Sequence, residues 1–160
     1  MSVKRIVSGA QTGADRAALD VALVVGVECG GWVPKGRLDE NGRIPPRYPN
    51  LIESDSTDPR LRTELNVRDS DATLILSHGP LSGGSKYTEQ KAIELGKPFK
   101  HLDLASMSIE CALREARAWL AIARPTTLNV AGPRASNDSE IYGKTEWILK
   151  RLLMSDISDD

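Results

Sequence analysis

The sequence predicts a doubly wound α/β domain with a mainly parallel sheet and helices on both faces. Short apolar segments typical of buried strands alternate with longer amphipathic segments of helical period. The length of 160 residues and the ordinary composition, 40% hydrophobic and 27% charged, suit one globular core. We expect a single domain over 1–154 and a frayed tail over 155–160.

Each predicted element carries its own local signal. The strands are apolar segments, over 5–9, 27–33, 72–77, 98–104 and 126–132, of which 27–33 is the weakest. The first helix ends at Gly26, a residue type suited to a helix C-cap, and a second begins at Pro59, where a missing N–H costs little. A third helix stops before Pro98. The two longest amphipathic segments, 108–124 and 139–154, complete the helices.

Residues 34–58 interrupt this alternation. The segment has four prolines, two glycines and no apolar period, so we expect a long loop that is either functional or mobile. Its basic side chains, Lys35, Arg37, Arg43 and Arg47, give residues 35–47 a local excess of positive charge over Asp39 and Glu40. Two interpretations stay open: a lid that folds over a bound anion, or a solvated loop.

Charge and hydropathy exclude several classes of partner. The net charge of -1 provides no field for a polyanion, so we expect no nucleic acid. No apolar run has the length of a membrane span and no signal peptide is recognisable, so we expect a cytoplasmic protein. The two cysteines and two histidines lack metal-ligand spacing, so we predict no metal site and reduced cysteines.

Three glycine-containing loops follow predicted strands and precede predicted helices. Because the carboxyl ends of parallel strands share one edge, these loops should meet there and offer backbone N–H groups to phosphate-like oxygens. The candidate binding residues are Gly9, Gln11, Thr12 and Gly13 in the first loop, Gly83, Gly84, Ser85 and Thr88 in the second, Gly132, Pro133, Arg134 and Ser136 in the third, and Lys35 from the long loop.

Some of these residues also have purely structural explanations. Gly9 and Gly13 suit a tight turn with close packing, and Ser136 suits a helix cap. Asp15 lies in a first helical turn, where the helix dipole stabilises a carboxylate; in a site it would face a sugar hydroxyl, a ring nitrogen or Arg16.

A charged stripe is predicted on the second helix. Arg62, Asn66 and Asp69 recur at helical spacing, so their side chains share one face. We interpret the stripe as a solvated ladder or a subunit contact.

Five segments together resemble the putative molybdenum carrier family, a branch of the SLOG group of Rossmann-like proteins. They are SGAQTGADRAALD, GGWVPKGR, NVRDSDATLIL, GPLSGGSKYT and LNVAGPR, and the resemblance extends from Ser8 to about Trp147. It implies a small Rossmann-like domain that often self-associates, with a role in holding the molybdenum cofactor or a nucleotide-like ligand.

The same resemblance extends to the LOG, or lysine-decarboxylase-like, phosphoribohydrolases, whose signature is P-G-G-x-G-T-x-x-E. Gly83 and Gly84 match it, whereas Lys86, Tyr87 and Gln90 stand at its next glycine, threonine and glutamate positions. Glu89 comes one residue early, and on a helix that shift turns the side chain by about 100°. Phosphate holding is compatible with this departure, but glycosidic catalysis is not supported.

Three functions follow. The first is a non-catalytic binder of a phosphate-bearing pterin or nucleotide, acting as a cofactor carrier or sensor. The second is a nucleotide-processing hydrolase that uses Asp15 or Glu89 as its acid. The third is a self-associating structural or signalling module, a homo-oligomer with Trp119 and Trp147 on its contact face.

Overall fold

A computed structural model describes residues 3–157. In chain order the elements are β1 (Arg5–Val7), α1 (Ala14–Val25), β2 (Glu28–Val33), β3 (Leu38–Asp39), β4 (Gly42–Arg43), β5 (Leu51–Glu53), α2 (Pro59–Arg68), β6 (Ala72–Ser77), α3 (Gly83–Glu94), β7 (Phe99–Asp103), α4 (Ile109–Ala123), β8 (Thr127–Ala131) and α5 (Ile141–Ile157). The predicted tail 155–160 overlaps the end of α5, and residues 158–160 lie outside the described part of the chain.

Six strands form one parallel sheet in the order β5-β2-β1-β8-β6-β7. The last strand of the chain, β8, lies in the middle, where Leu128 pairs with Ile6 on one side and with Ala72 on the other. Helices α1, α5 and α4 pack side by side in one layer, and α2 and α3 pack together in the other. This is a Rossmann-like α/β fold, and the predicted class is confirmed.

Small side chains let α1 lie close to its neighbours. Ala14, Ala17, Ala18 and Ala22 are fully buried, and α1 packs along α5. The helix ends at Gly26, which has φ 80° and whose N–H donates to the carbonyl of Ala22, as expected of a left-handed C-cap.

The segment 34–58 is more ordered than the sequence suggests. It contains the antiparallel pair β3 and β4 and the edge strand β5, which pairs in parallel with β2. Ile44 and Tyr48 anchor it, because both side chains are buried in the core. Sequence analysis missed all three strands because each has only two or three residues.

The two tryptophans of the proposed contact face, Trp119 and Trp147, pack partly buried against the core. Self-association through them stays a prediction.

Both cysteines are free, with Cys29 buried and Cys111 partly buried. Within residues 3–157, no helix combines the length and the apolar character that crossing a bilayer requires.

Candidate functional site

A cleft of about 550 Å³ opens where the carboxyl ends of β1, β6 and β8 meet. Four parts of the chain line it: the loop after β1, the start of α2, the loop from β6 into α3, and the loop after β8. The three glycine-containing loops therefore contribute to one rim, as the parallel topology requires. Eight of the predicted binding residues line the cleft, namely Gln11, Gly83, Gly84, Ser85, Thr88, Gly132, Pro133 and Arg134.

The start of α3 is the most open part of the rim. Ser82 is the N-cap, but its side chain makes no capping hydrogen bond. Among the described residues we find no acceptor for the N–H groups of Gly83, Gly84 and Ser85, which form the first turn. In the described part of the chain, a Cβ added at Gly83 or Gly84 would have no neighbouring atom within 4 Å. These N–H groups and the positive end of the helix dipole are thus exposed to an anion in the cleft.

Other loop glycines are explained by packing. A Cβ at Gly9 would collide with the guanidinium of Arg62, and one at Gly13, whose φ is 80°, would collide with the carbonyl of Pro133. At Gly132 it would lie 2.5 Å from the carbonyl oxygen of Leu76. These three positions lack side chains because backbone or guanidinium groups approach them closely.

The start of α1, in contrast to α3, is occupied by internal partners. The N–H of Gln11 donates to the Asp15 carboxylate at 3.3 Å, and the N–H of Ala14 donates to the Pro133 carbonyl at 3.3 Å. Thr12 donates its hydroxyl to Glu40 at 2.7 Å. Gly9, Thr12 and Gly13 lie outside the cleft lining, and their contact with ligand stays a prediction.

The buried ion pair of Asp15 and Arg62 lies at the cleft wall, with 3.6 Å between the carboxylate and guanidinium nitrogen Nη1. Burial raises the pKa of Asp15 from 3.8 to about 6, although Arg62 and the N–H of Gln11 oppose the rise. Burial also lowers the pKa of Arg62; Asp15 opposes this change and Arg134 adds to it. Nε of Arg62 is buried and has no hydrogen-bond partner within residues 3–157. The pair therefore places a poorly solvated cation and a titratable carboxyl at the wall.

The interpretation of the α2 stripe as a solvated ladder was wrong. The Arg62 side chain is only 16% exposed, and Asn66 is buried, where it bonds both the N–H and the carbonyl of Trp32 at 2.8 and 3.0 Å. Asp69 alone lies at the surface, where it accepts from the indole N–H of Trp32 and pairs with Arg68.

A second polar cluster borders the cleft between the loop after β6 and α5. Lys144 donates to Nε2 of His78 at 2.8 Å, which leaves Nδ1–H to donate to Asp138 at 2.5 Å. Sequence analysis missed His78 and Asp138. Their positions in the sequence could have identified them, because His78 follows β6 and Asp138 follows β8, two of the strands whose loops were predicted to meet.

The long segment contacts the rim through its acidic residues, not its basic ones. Asp39 pairs with Arg16 at 2.5 Å, and Glu40 contacts the loops after β1 and β8. Lys35 is exposed and lies outside the cleft lining; its backbone N–H donates to Ser56. Lys35, Arg37, Arg43 and Arg47 all lie outside the cleft lining, and the lid interpretation, which relied on their positive charge, stays a prediction.

The two candidate acids differ in position. Asp15 lines the cleft, whereas Glu89 lies outside the lining and pairs with Lys86 at 2.6 Å. Among the described residues, no cluster of three or more His, Cys, Asp or Glu side chains could hold a metal ion.

Comparisons with known proteins agree with this architecture. A crystal structure described as "Putative molybdenum carrier protein" from Syntrophus aciditrophicus SB superposes with a TM-score of 0.91 at 50% sequence identity, covering 93% of this chain and 94% of that one. No curated protein matches the sequence. The sequence model of the circularly permutated YpsA SLOG family matches residues 6–153. A central position for the last strand suits such a permutation, because the first strand usually occupies the centre of a Rossmann sheet. The chain therefore belongs to the circularly permutated YpsA SLOG family.

Proposed function

We propose that the protein binds a small phosphate-bearing molecule in the cleft and acts as its carrier or sensor. The bare first turn of α3 carries this proposal. Gly83, Gly84 and Ser85 offer N–H groups that have no acceptor among residues 3–157, at a helix end that opens into the cleft. Phosphate is the common ligand of such a helix end, because the N–H groups and the helix dipole act together.

Two arginines supply positive charge beside this helix end. Arg62 lies at the wall, and Arg134 lines the cleft from the loop after β8. The positive charge of Arg134 adds to the lowering of the pKa of Arg62, as repulsion between two guanidinium groups would. A bound anion would relieve this repulsion. The basic residues of the long segment are not needed for binding in this proposal.

The size and lining of the cleft favour an organic phosphate. A volume of about 550 Å³ is within the range for small-molecule pockets. Pro80, Leu81 and Tyr87 provide apolar surface for a planar ring, and Asn137 provides a polar group. The similarity to a described molybdenum carrier supports the phosphorylated pterin of the molybdenum cofactor as cargo, with a nucleotide as the alternative.

A substitution at Gly84 tests the proposal. The aspartate side chain of Gly84→Asp would suit the second position of a helix and should preserve the fold, but its carboxylate would repel a phosphate at the first turn. Gly143→Asp is the matched control, because Gly143 also lies in a first helical turn and an added Cβ there contacts nothing within 4 Å.

Thermal stabilisation by AMP and by inorganic phosphate is the measurement. We expect both ligands to raise the melting temperature of the wild type and of Gly143→Asp, and to leave that of Gly84→Asp unchanged. Equal stabilisation of the two variants would contradict binding at α3.

A nucleotide hydrolase is the second candidate, and the position of Asp15 is the observation that favours it. A cleft carboxyl with a pKa of about 6 can supply a proton near neutral pH. Incubation with nucleoside monophosphates and ADP-ribose, followed by chromatography, tests this function. Turnover that disappears in Asp15→Asn would support the hydrolase. Absence of turnover by the wild type would contradict the hydrolase and favour the carrier function.

A further inference from the structure

The carboxylate of Glu40 is held by donors from two separate loops. It accepts from the hydroxyl of Thr12 at 2.7 Å, from the N–H of Ser136 at 3.2 Å and from the hydroxyl of Ser136 at 2.6 Å. The Nε of Arg134 lies 3.8 Å from the second carboxylate oxygen. The hydrogen bonds from Ser136 and Thr12 lower the pKa of Glu40. Two hydroxyls, one backbone N–H and one guanidinium thus surround a single oxyanion.

The donors come from two loops that contribute to the cleft rim, although Thr12 and Ser136 themselves lie outside its lining, whereas the carboxylate comes from elsewhere. Thr12 and Ser136 lie in the loops after β1 and β8, and Arg134 lines the cleft itself. The N–H of Ala135 also donates to the Thr12 hydroxyl at 3.1 Å, which joins the two loops. Glu40 lies at the turn between β3 and β4, in the long segment.

The attachment of the long segment does not depend on Glu40. Tyr48 is buried and donates its hydroxyl to Asp20 at 2.5 Å, and its ring lies 5.1 Å from the Arg16 guanidinium carbon. Asp39 pairs separately with Arg16. Glu40 lies at the surface, and its side chain, covered by its donors to 16% exposure, could leave them while these other contacts remain.

From these contacts we infer that Thr12, Ser136 and Arg134 form a second oxyanion-binding site, which Glu40 fills in the absence of ligand. A phosphate group that displaces Glu40 would receive the same donors. This site goes beyond the proposed function: it shares Arg134 with the cleft but none of the N–H groups at the start of α3.

Removal of the Glu40 side chain tests the site with inorganic phosphate as the probe. In Glu40→Ala the donors lose their internal partner, so we expect phosphate to bind at least about tenfold more tightly, equivalent to about 1.4 kcal/mol. Titration followed by NMR should show the largest shifts at the N–H groups of Ala135 and Ser136. Glu53→Ala is the matched control: it removes the same charge from the same segment, where Glu53 accepts from the N–H of Gly36 at 2.6 Å.

Two double variants show which of the two sites is responsible for any gain in phosphate affinity. Thr12→Val added to Glu40→Ala should abolish the gain, because it removes a donor to the anion. Gly84→Asp added to Glu40→Ala should preserve it, so that failure of this inference and failure of binding at α3 are distinguishable. Unchanged phosphate affinity in Glu40→Ala, an equal gain in Glu53→Ala, or a gain that survives Thr12→Val would overturn the inference.

Discussion

The burial of the Asp15 carboxyl allows a quantitative prediction of how Asp15→Asn changes the pH dependence of the free energy of unfolding. Its pKa rises from 3.8 to about 6 on folding, so the folded state binds the proton more tightly than the unfolded state does. The stabilisation from this proton is therefore complete below pH 3.8 and is lost as the pH rises through about 6. At about 1.4 kcal/mol per pH unit, the full loss is about 3 kcal/mol. Because the Asp15 side chain is only 5% exposed, solvent screening requires little reduction of this figure.

The measurement is the free energy of unfolding by urea between about pH 3.5 and pH 8. The amide introduced by Asp15→Asn cannot titrate, so the free energy of unfolding of the wild type minus that of the variant should fall by about 3 kcal/mol across this range. About half of that change lies between pH 5 and pH 8, where the protein is safer from acid denaturation. The other titrating groups are shared by both proteins and largely cancel.

The pH dependence of this stability difference separates the titration of the Asp15 carboxyl from the cost of leaving Arg62 without its partner. Any constant cost of an unpaired Arg62 shifts the whole curve without changing its slope. Asp55→Asn, a substitution of an exposed aspartate, provides the baseline for removing a surface charge. A difference between wild type and Asp15→Asn that stays flat with pH would refute the burial argument, and one that grows with pH would reverse its sign.

Two further substitutions test contacts of the same loops. Gly13→Ala and Gly26→Ala both place alanine at φ 80°, but only the first brings a Cβ against the Pro133 carbonyl. We expect Gly26→Ala to cost about 1 kcal/mol and Gly13→Ala about 2 kcal/mol more, by urea unfolding; equal losses would contradict the close approach. Arg62→Met should cost about 3–5 kcal/mol at pH 7, because it leaves the Asp15 carboxyl buried without its cation, and adding Asp15→Asn should recover most of it. A double variant as unstable as Arg62→Met would show that packing of the arginine stem, not charge, sets the loss.

Local signals predicted most of the architecture. Apolar runs marked five of the six strands of the sheet, and Gly26 and Pro59 marked helix ends that the structure contains. The meeting of the loops at one rim also followed, because it needs only parallel strands. β5 could not be predicted in this way, since three residues carry no usable period and its pairing with β2 is a long-range contact.

The roles of individual residues required the folded chain. Gly13 and Gly84 look alike in sequence, yet one is packed against the backbone of a loop more than a hundred residues away and the other faces open space. Arg62 looked like a surface residue of α2 until the packing of Gly9 and Asp15 showed its burial.

The sequence by itself determined the fold class, the order of the five helices and of five of the six sheet strands, and the edge of the sheet where a ligand should bind. It could do so because strand and helix periods and the direction of parallel strands are local or topological properties. Only the tertiary structure decided which N–H groups stay open, which arginine is buried and which carboxylate fills the donors of Thr12 and Ser136. These features depend on contacts between residues far apart in the chain, and no short stretch of sequence encodes them.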